Sequence, residues 1–260
     1  MNIDNINIYD SAATLNQAVT TRWATIAAEA VAARGAFHVA LAGGHTPKQL
    51  YTLLASREIA TTLPWQQTRI YFGDERCVAP DHADSNFNMA RQALLAHVPI
   101  PAQHIHRIHG EHRKPATAAH DYQHLLQQNL PHDEQGYHFD LVLLGLGNDG
   151  HIASLFPETA ILNQATQLAA AVYVDKLSSW RISVTYPVLE QAHNVLLIVV
   201  GTDKAEIVSQ ILSDNSGKER YPVQRIADRS EWHLDHAAAV LIESDILSQM
   251  RRDYDQDSGC

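Results

Sequence analysis

Short apolar runs alternate along this chain with longer segments in which apolar residues recur at helical spacing. Ile3 to Tyr9 alternates and predicts a strand. The alanine-rich stretch Ala12 to Arg34 predicts a long helix ended by Gly35. Phe37 to Ala42 predicts a second strand, and Pro47 to Ala55 a helix with Leu50, Leu53 and Leu54 on one face. Thr68 to Gly73 reads as a strand, Asn86 to Leu95 as a helix, Val98 to Lys114 as a loop and Ala116 to Asn129 as a helix. Phe139 to Gly145 contains the run Leu141 to Leu144, the mark of a strand buried on both faces. Ala169 to Val174 and Arg181 to Thr185 are shorter strand candidates. Val195 to Val200 and then Lys204 to Leu212 repeat strand and helix, and Ala237 to Ile242 is the last expected strand. Strands separated by helices imply an α/β fold: a mostly parallel central sheet with helices on both faces. No Gly/Ser/Pro-rich linker divides the 260 residues, so one domain is expected, with a frayed polar tail from Arg251 to Cys260.

The formal net charge of -10 argues against a nucleic-acid or anionic-membrane partner. It leaves room for a small anion, because a local cluster of donors can hold a phosphate inside an acidic protein. The two cysteines, Cys77 and Cys260, form no disulfide framework and point to a reducing compartment. The first ten residues lack a basic and an apolar region of the secretory kind, and no apolar run is long enough to span a bilayer. A cytoplasmic enzyme is the expectation.

In a parallel α/β sheet, ligands sit at the carboxyl ends of the strands, so the loops after strands are where chemistry is sought. Gly43-Gly44-His45-Thr46-Pro47-Lys48 follows a strand and opens a helix. Its glycines allow close approach of a ligand, Thr46 is a plausible N-cap, and Pro47 suits a first helical position. Free N–H groups and the helix dipole there favour a phosphate; the plain alternative is an ordinary turn. Gly73-Asp74-Glu75-Arg76 puts three charges at a strand end, either a surface turn with a local ion pair or an anion site centred on the planar fork of Arg76. Gly145-Leu146-Gly147-Asn148-Asp149-Gly150-His151 contains a G-x-G-x-x-G. Pro157 follows too soon for the long helix that a dinucleotide fold needs. The glycines are better read as making room for something small beside Asp149 and His151, a carboxylate and an imidazole suited to general-base work. His104, His106, His109 and His112 resemble metal ligands, but with only Glu111 beside them a solvated loop is the better reading. Ser154 lacks a nucleophile-elbow frame, and Gly43-Gly44 lacks a P-loop ending.

Together these segments resemble the 6-phosphogluconolactonase family over most of the chain. The most specific piece runs from Gly145 through Asp149-Gly150-His151 to Ala153-Ser154-Leu155-Phe156-Pro157; Gly73 to Arg76 with Ser85-Asn86, and Gly43-Gly44 with Thr46-Pro47, come next. Weaker matches are Arg181-Ile182-Ser183, Gly201-Thr202-Asp203-Lys204, Tyr221-Pro222, Trp232 and Asp235 to Ala238. The resemblance implies hydrolysis of 6-phosphoglucono-1,5-lactone to 6-phosphogluconate in the oxidative pentose phosphate pathway, without metal or organic cofactor. It implies a fold shared with glucosamine-6-phosphate deaminases, the main rival reading. Those enzymes call for a Glu five residues past the His, where this chain has Phe156, and usually a Tyr where it has Arg76. A sugar-phosphate-binding protein without catalysis is the remaining alternative. Departures are Ala42 and His45, where the lactonases usually have Ser, and Lys176-Leu177-Ser178-Ser179-Trp180 in place of a Lys-Pro-Pro stretch, which leaves the role of Lys176 open.

The expected chemistry follows. His151 is the base that takes a proton from water, and Asp149 holds its imidazole or accepts a substrate hydroxyl. Arg76 or N–H groups of the Gly145 to Gly150 loop meet the developing oxyanion. The phosphate sits on Gly43-Gly44, with His45, Thr46 and Lys48 beyond, and Lys204 and Arg181 add charge. Asp74, Glu75 and Gly147 complete the expected site. Oligomeric state is not legible beyond a monomer or small homo-oligomer.

Overall fold

The computed structural model describes residues 5–214 and 219–242. The expected tail, Arg251 to Cys260, lies outside the described residues, as do the first two residues of the strand expected from Ile3.

Six strands form one parallel sheet in the order β1-β9-β8-β5-β2-β3: β1 (Ile6–Tyr9), β2 (Phe37–Leu41), β3 (Thr68–Phe72), β5 (Leu141–Gly145), β8 (Val195–Val199) and β9 (Ser230–Asp235). Leu141 to Leu144 and Val195 to Val199 are buried along their length, as strands covered on both faces must be. A second sheet of three antiparallel strands, β4 (Asp74–Arg76), β7 (Ser179–Val184) and β6 (Ala169–Val174), stands beside the first. The two shorter strand candidates therefore exist but form a hairpin of their own.

Helices flank the large sheet. α1 (Ala12–Arg34) starts at Ser11, whose hydroxyl accepts the Thr14 N–H at 3.2 Å, and ends at Gly35 as expected. α2 (His45–Leu54), α3 (Arg57–Ala60), α4 (Asn86–Ala90) and α5 (Pro115–Asn129) follow; α4 runs on as a π-helical turn to Leu95, so the span matches the expected helix. α6 (Tyr186–Glu190), α7 (Ala205–Ser213) and α8 (His236–Ala239) complete the set among the described residues.

Two expectations need correction. Ala237 to Ile242 is not a strand. The last strand is Ser230 to Asp235, and Asp235 then caps α8 by accepting the Ala238 N–H at 2.8 Å. That carboxylate turns the alanine run into a helical turn instead of letting it extend. Thr46 is not the N-cap of α2. Gly44 is, at φ 107°, a conformation in which a side chain would be strained, so the helix begins earlier and its first turn opens at Gly44.

The chain runs from β2 outward to β3, then returns to place β5 on the other side of β2 and proceeds to β8 and β9. The direction of winding thus reverses between β2 and β5. Their carboxyl ends carry the Gly43-Gly44 and Gly145 to His151 loops, in the crevice where such a reversal leaves room for a ligand.

Candidate active site

A cavity of about 330 Å³ opens at that reversal. Gly43, Gly44, Asp74, Arg76, Gly147, His151, Arg181 and Lys204 all line it, so five segments far apart in sequence meet there. A second cavity of about 330 Å³ adjoins it and shares Gly43, Gly44 and Lys204, with His45 and Thr46 in its wall. Lys48 is exposed on the next turn of α2 and lines neither cavity.

The loop after β5 is tightened by its own backbone. The Gly147 N–H donates to the His151 carbonyl and the Gly150 N–H to the Gly147 carbonyl, each at 2.9 Å. A Cβ on Gly147 would fall 1.9 Å from His151 Nδ1 and 2.8 Å from Asp149 Oδ1, so this glycine makes the seat for the pair. Gly150, at φ 75°, brings its Cα so near Tyr221 that a Cβ would meet that ring's Cβ at 2.6 Å. Within this seat His151 Nδ1 lies 2.5 Å from Asp149 Oδ1. A carboxylate can only accept, so Nδ1 carries the proton, and in the neutral form of the ring the lone pair is on Nε2. Nε2 has no protein partner among the described residues. The other face of the imidazole stacks on Phe156, ring centroids 4.0 Å apart. Lys176, on the turn between β6 and β7, donates to Asp149 Oδ2 and lies 4.7 Å above the Phe156 ring. Burial works against the Asp149 charge, but hydrogen bonds from His151 and Lys176 outweigh it and hold the carboxyl below its usual range.

Opposite stands a cationic wall. Arg76 and Arg181 are register partners on β4 and β7. The Nε of each is buried without a protein partner, although Arg76 Nη1 donates to the Asp84 carbonyl at 2.6 Å. Burial, followed by the charge of Arg76, makes Arg181 easier to deprotonate than a free guanidinium. Two adjacent cations with unused donors favour an anion. Lys204 donates to Asn148 Oδ1 at 2.5 Å at the junction of the two cavities.

The remaining charges of the β4 triplet have other work. Glu75 is buried, lines neither cavity, and accepts the N–H groups of Arg76 (2.8 Å), Asn86 (2.8 Å) and Phe87 (2.9 Å) and the Ser85 hydroxyl (3.0 Å). It anchors the start of α4 instead of reaching a ligand, although burial still raises its carboxyl. Asp74 reaches the cavity wall but is held by Ser154 Oγ at 2.6 Å and Asn86 Nδ2 at 3.0 Å. Asn86 also fills the space over Gly43, where a Cβ would overlap its side chain at 2.0 Å. Ser154, read from the sequence as no nucleophile, is thus a buried tie between the His151 loop and β4. Sequence reasoning left out Asn86, Asn148 and Lys176 as site-building groups; all three lie in or beside quoted motifs, but their partners are remote in sequence.

Among the described residues no group of three or more His, Cys, Asp or Glu is placed to hold a metal ion. In the histidine-rich loop, Ile105 bridges Ile70 of β3, and His106 stacks on Tyr71 at 4.7 Å. Cys77 is half buried against the core, and burial pushes its thiol up. The turn that carries Lys176 also brings the exposed Leu177 to the cavity wall, and Tyr173 of β6 and Trp180 of β7 are exposed beside it in sequence.

A family model described as glucosamine-6-phosphate isomerases/6-phosphogluconolactonase matches residues 10–234, and the chain belongs to this family. Within it, the chain is 38% identical to the 6-phosphogluconolactonase of a Nostoc species, over 81% of this chain and 87% of that one. It is 38% identical to the 6-phosphogluconolactonase of Synechocystis, over 85% and 89%. The solved structure of 6-phosphogluconolactonase from Trypanosoma brucei superposes with a TM-score of 0.81 at 27% identity, covering 92% of this chain and 98% of that chain. No helix among the described residues is long and apolar enough to cross a membrane.

Proposed function

We propose that this protein hydrolyses 6-phosphoglucono-1,5-lactone to 6-phosphogluconate in the oxidative pentose phosphate pathway. The observation that carries this reading is the Asp149–His151 pair, its Nε2 unpaired beside a wall of Arg76 and Arg181. The named activity of relatives 38% identical over most of the chain supports it.

In this mechanism Nε2 of His151 takes a proton from water as its oxygen attacks the lactone carbonyl carbon. Asp149 steadies the imidazolium that forms. Gly147 and Gly150 already use their N–H groups inside the loop, so Arg76 is the better donor to the oxyanion. As the tetrahedral intermediate collapses, the bond from carbon to ring oxygen breaks and His151 returns its proton to that oxygen. The product is an open-chain acid that ionises in water. The phosphate, distant from the reacting carbon, lies against Gly43, Gly44 and Lys204, with Arg181 adding charge. We place the protein in the cytoplasm, as one domain and a monomer or small homo-oligomer.

The deaminase reading lacks its carboxylate, since Phe156 stacks on His151 where that group is called for. Both alternatives are tested together by assaying opening of freshly prepared lactone, with the spontaneous rate subtracted, alongside glucosamine 6-phosphate. Fast lactone opening that disappears in His151→Ala upholds the proposal. Ammonia from the amino sugar without lactone opening transfers it to the deaminases, and binding without turnover of either leaves a sugar-phosphate binder.

A further inference from the structure

His151 faces an unusual excess of positive charge. Arg76 of β4, Arg181 of β7, Lys176 of the β6–β7 turn and Lys204 after β8 line its cavity, against the carboxylates of Asp74 and Asp149. Asp74 is occupied by Ser154 and Asn86, which leaves Asp149 as the carboxylate in contact with the imidazole. Of these four cations, Lys176 is the one that donates to that carboxylate, through the oxygen that His151 does not use. Its ammonium also sits over Phe156, the ring on which His151 stacks. Lysine, carboxylate, imidazole and phenyl ring thus close a cycle, with the lysine delivered by a turn remote in sequence.

We propose that Lys176 is a positioning residue that locks Asp149 from its far side and keeps His151 neutral, able to accept a proton. An aspartate alone stabilises imidazolium and draws a proton onto the base before substrate arrives. A lysine on the second carboxylate oxygen offsets that pull while fixing the first oxygen on Nδ1. Its catalytic consequence rests on the lactonase reading above; its effect on the pair does not.

The test titrates the His151 ring by NMR without substrate, its signal identified as the one lost in His151→Asn, in wild type and Lys176→Met. The pH profile of lactone kcat/KM is measured on the same proteins. Methionine keeps the stem and removes the charge. The expected result is a midpoint raised by about half to one pH unit, as for loss of one nearby, partly screened charge. The acid limb of the rate should move by the same amount, and Lys176→Arg should restore both. An unmoved midpoint with a higher KM makes Lys176 a substrate ligand and overturns the proposal. An unmoved midpoint with a uniformly lower kcat makes it a structural residue and does the same. If the midpoint moves but wild type opens no lactone, the positioning role stands and the proposed reaction falls.

Discussion

The central strands β5 and β8 of the parallel six-stranded sheet are apolar and sealed, whereas the three-stranded sheet is antiparallel, carries Asp74, Glu75, Arg76 and Arg181, and faces a cavity on one side. β8 reads Val-Leu-Leu-Ile-Val and is buried throughout; β4 reads Asp-Glu-Arg, and β7 carries Trp180 and Arg181 toward solvent and cavity. A parallel strand covered on both faces has no place for an unpaired charge. An antiparallel hairpin can pack one face and offer the other to water. The large sheet thus fixes where the loops end, and the small one carries the charges that a phosphorylated sugar would meet. Substitutions in the first are expected to act on stability and those around the second on turnover and affinity.

The sharpest way to break this division is His151→Ala. Turnover should fall by about 10²–10⁴-fold, with a melting temperature close to wild type. Wild-type turnover would remove His151 as the base. Leu197→Ala, at a fully buried β8 position, should cost about 2–5 kcal/mol in urea unfolding while folded molecules keep their turnover. A large change in turnover there would mean that the core and the site are not separable. Acid should act on the large sheet through His38 of β2 and His233 of β9, which burial lowers from 6.5 to about 4. Between those values the unfolded chain binds protons that the folded one refuses. Stability is therefore full above pH 6.5 and falls as pH drops toward 4, by about 1 kcal/mol per residue at pH 5.5. Chemical unfolding across that range checks the sign, and the loss should shrink in His38→Gln if this histidine contributes. Lys204→Met, at the cavity junction, should raise KM about tenfold or more with little change in kcat. An unchanged KM would move the phosphate away from Lys204.

The same contrast explains what the sequence disclosed. β5 and β8 are legible because burial on both faces demands a continuous apolar run. β9 is not: Ser-Glu-Trp-His-Leu-Asp is largely polar, and its burial relies on partners such as Tyr9, whose hydroxyl meets His233 Nδ1 at 2.9 Å. β4 is hidden for the same reason, since three charged residues resemble a strand only once β7 lies beside them. The sequence points to His151, Asp149 and Arg76 because they stand in or directly after segments that follow strands, whereas Arg181 and Lys204 enter only through the family resemblance; the cavity brings His151, Arg76, Arg181 and Lys204 together. Glu75 and Lys48 were not separable from them: one turns inward to cap α4, the other projects outward from α2. Lys176 was visible as a residue but not as a partner of Asp149, because that contact depends on how the hairpin turn folds back over the cleft.

The exposed tryptophan of that hairpin gives the protein a built-in optical probe. Trp23, Trp65 and Trp232 are sealed in the core, at 1%, 2% and 0% exposure, while Trp180 on β7 stands 45% exposed. A collisional quencher such as iodide reaches Trp180 far more readily than the other three, so the quenchable fraction of the emission reports on this hairpin. Because Trp180 and Arg181 are neighbours on one strand and so face opposite sides, a change in that fraction when a sugar phosphate is added would report movement of the hairpin itself rather than direct contact with the ligand.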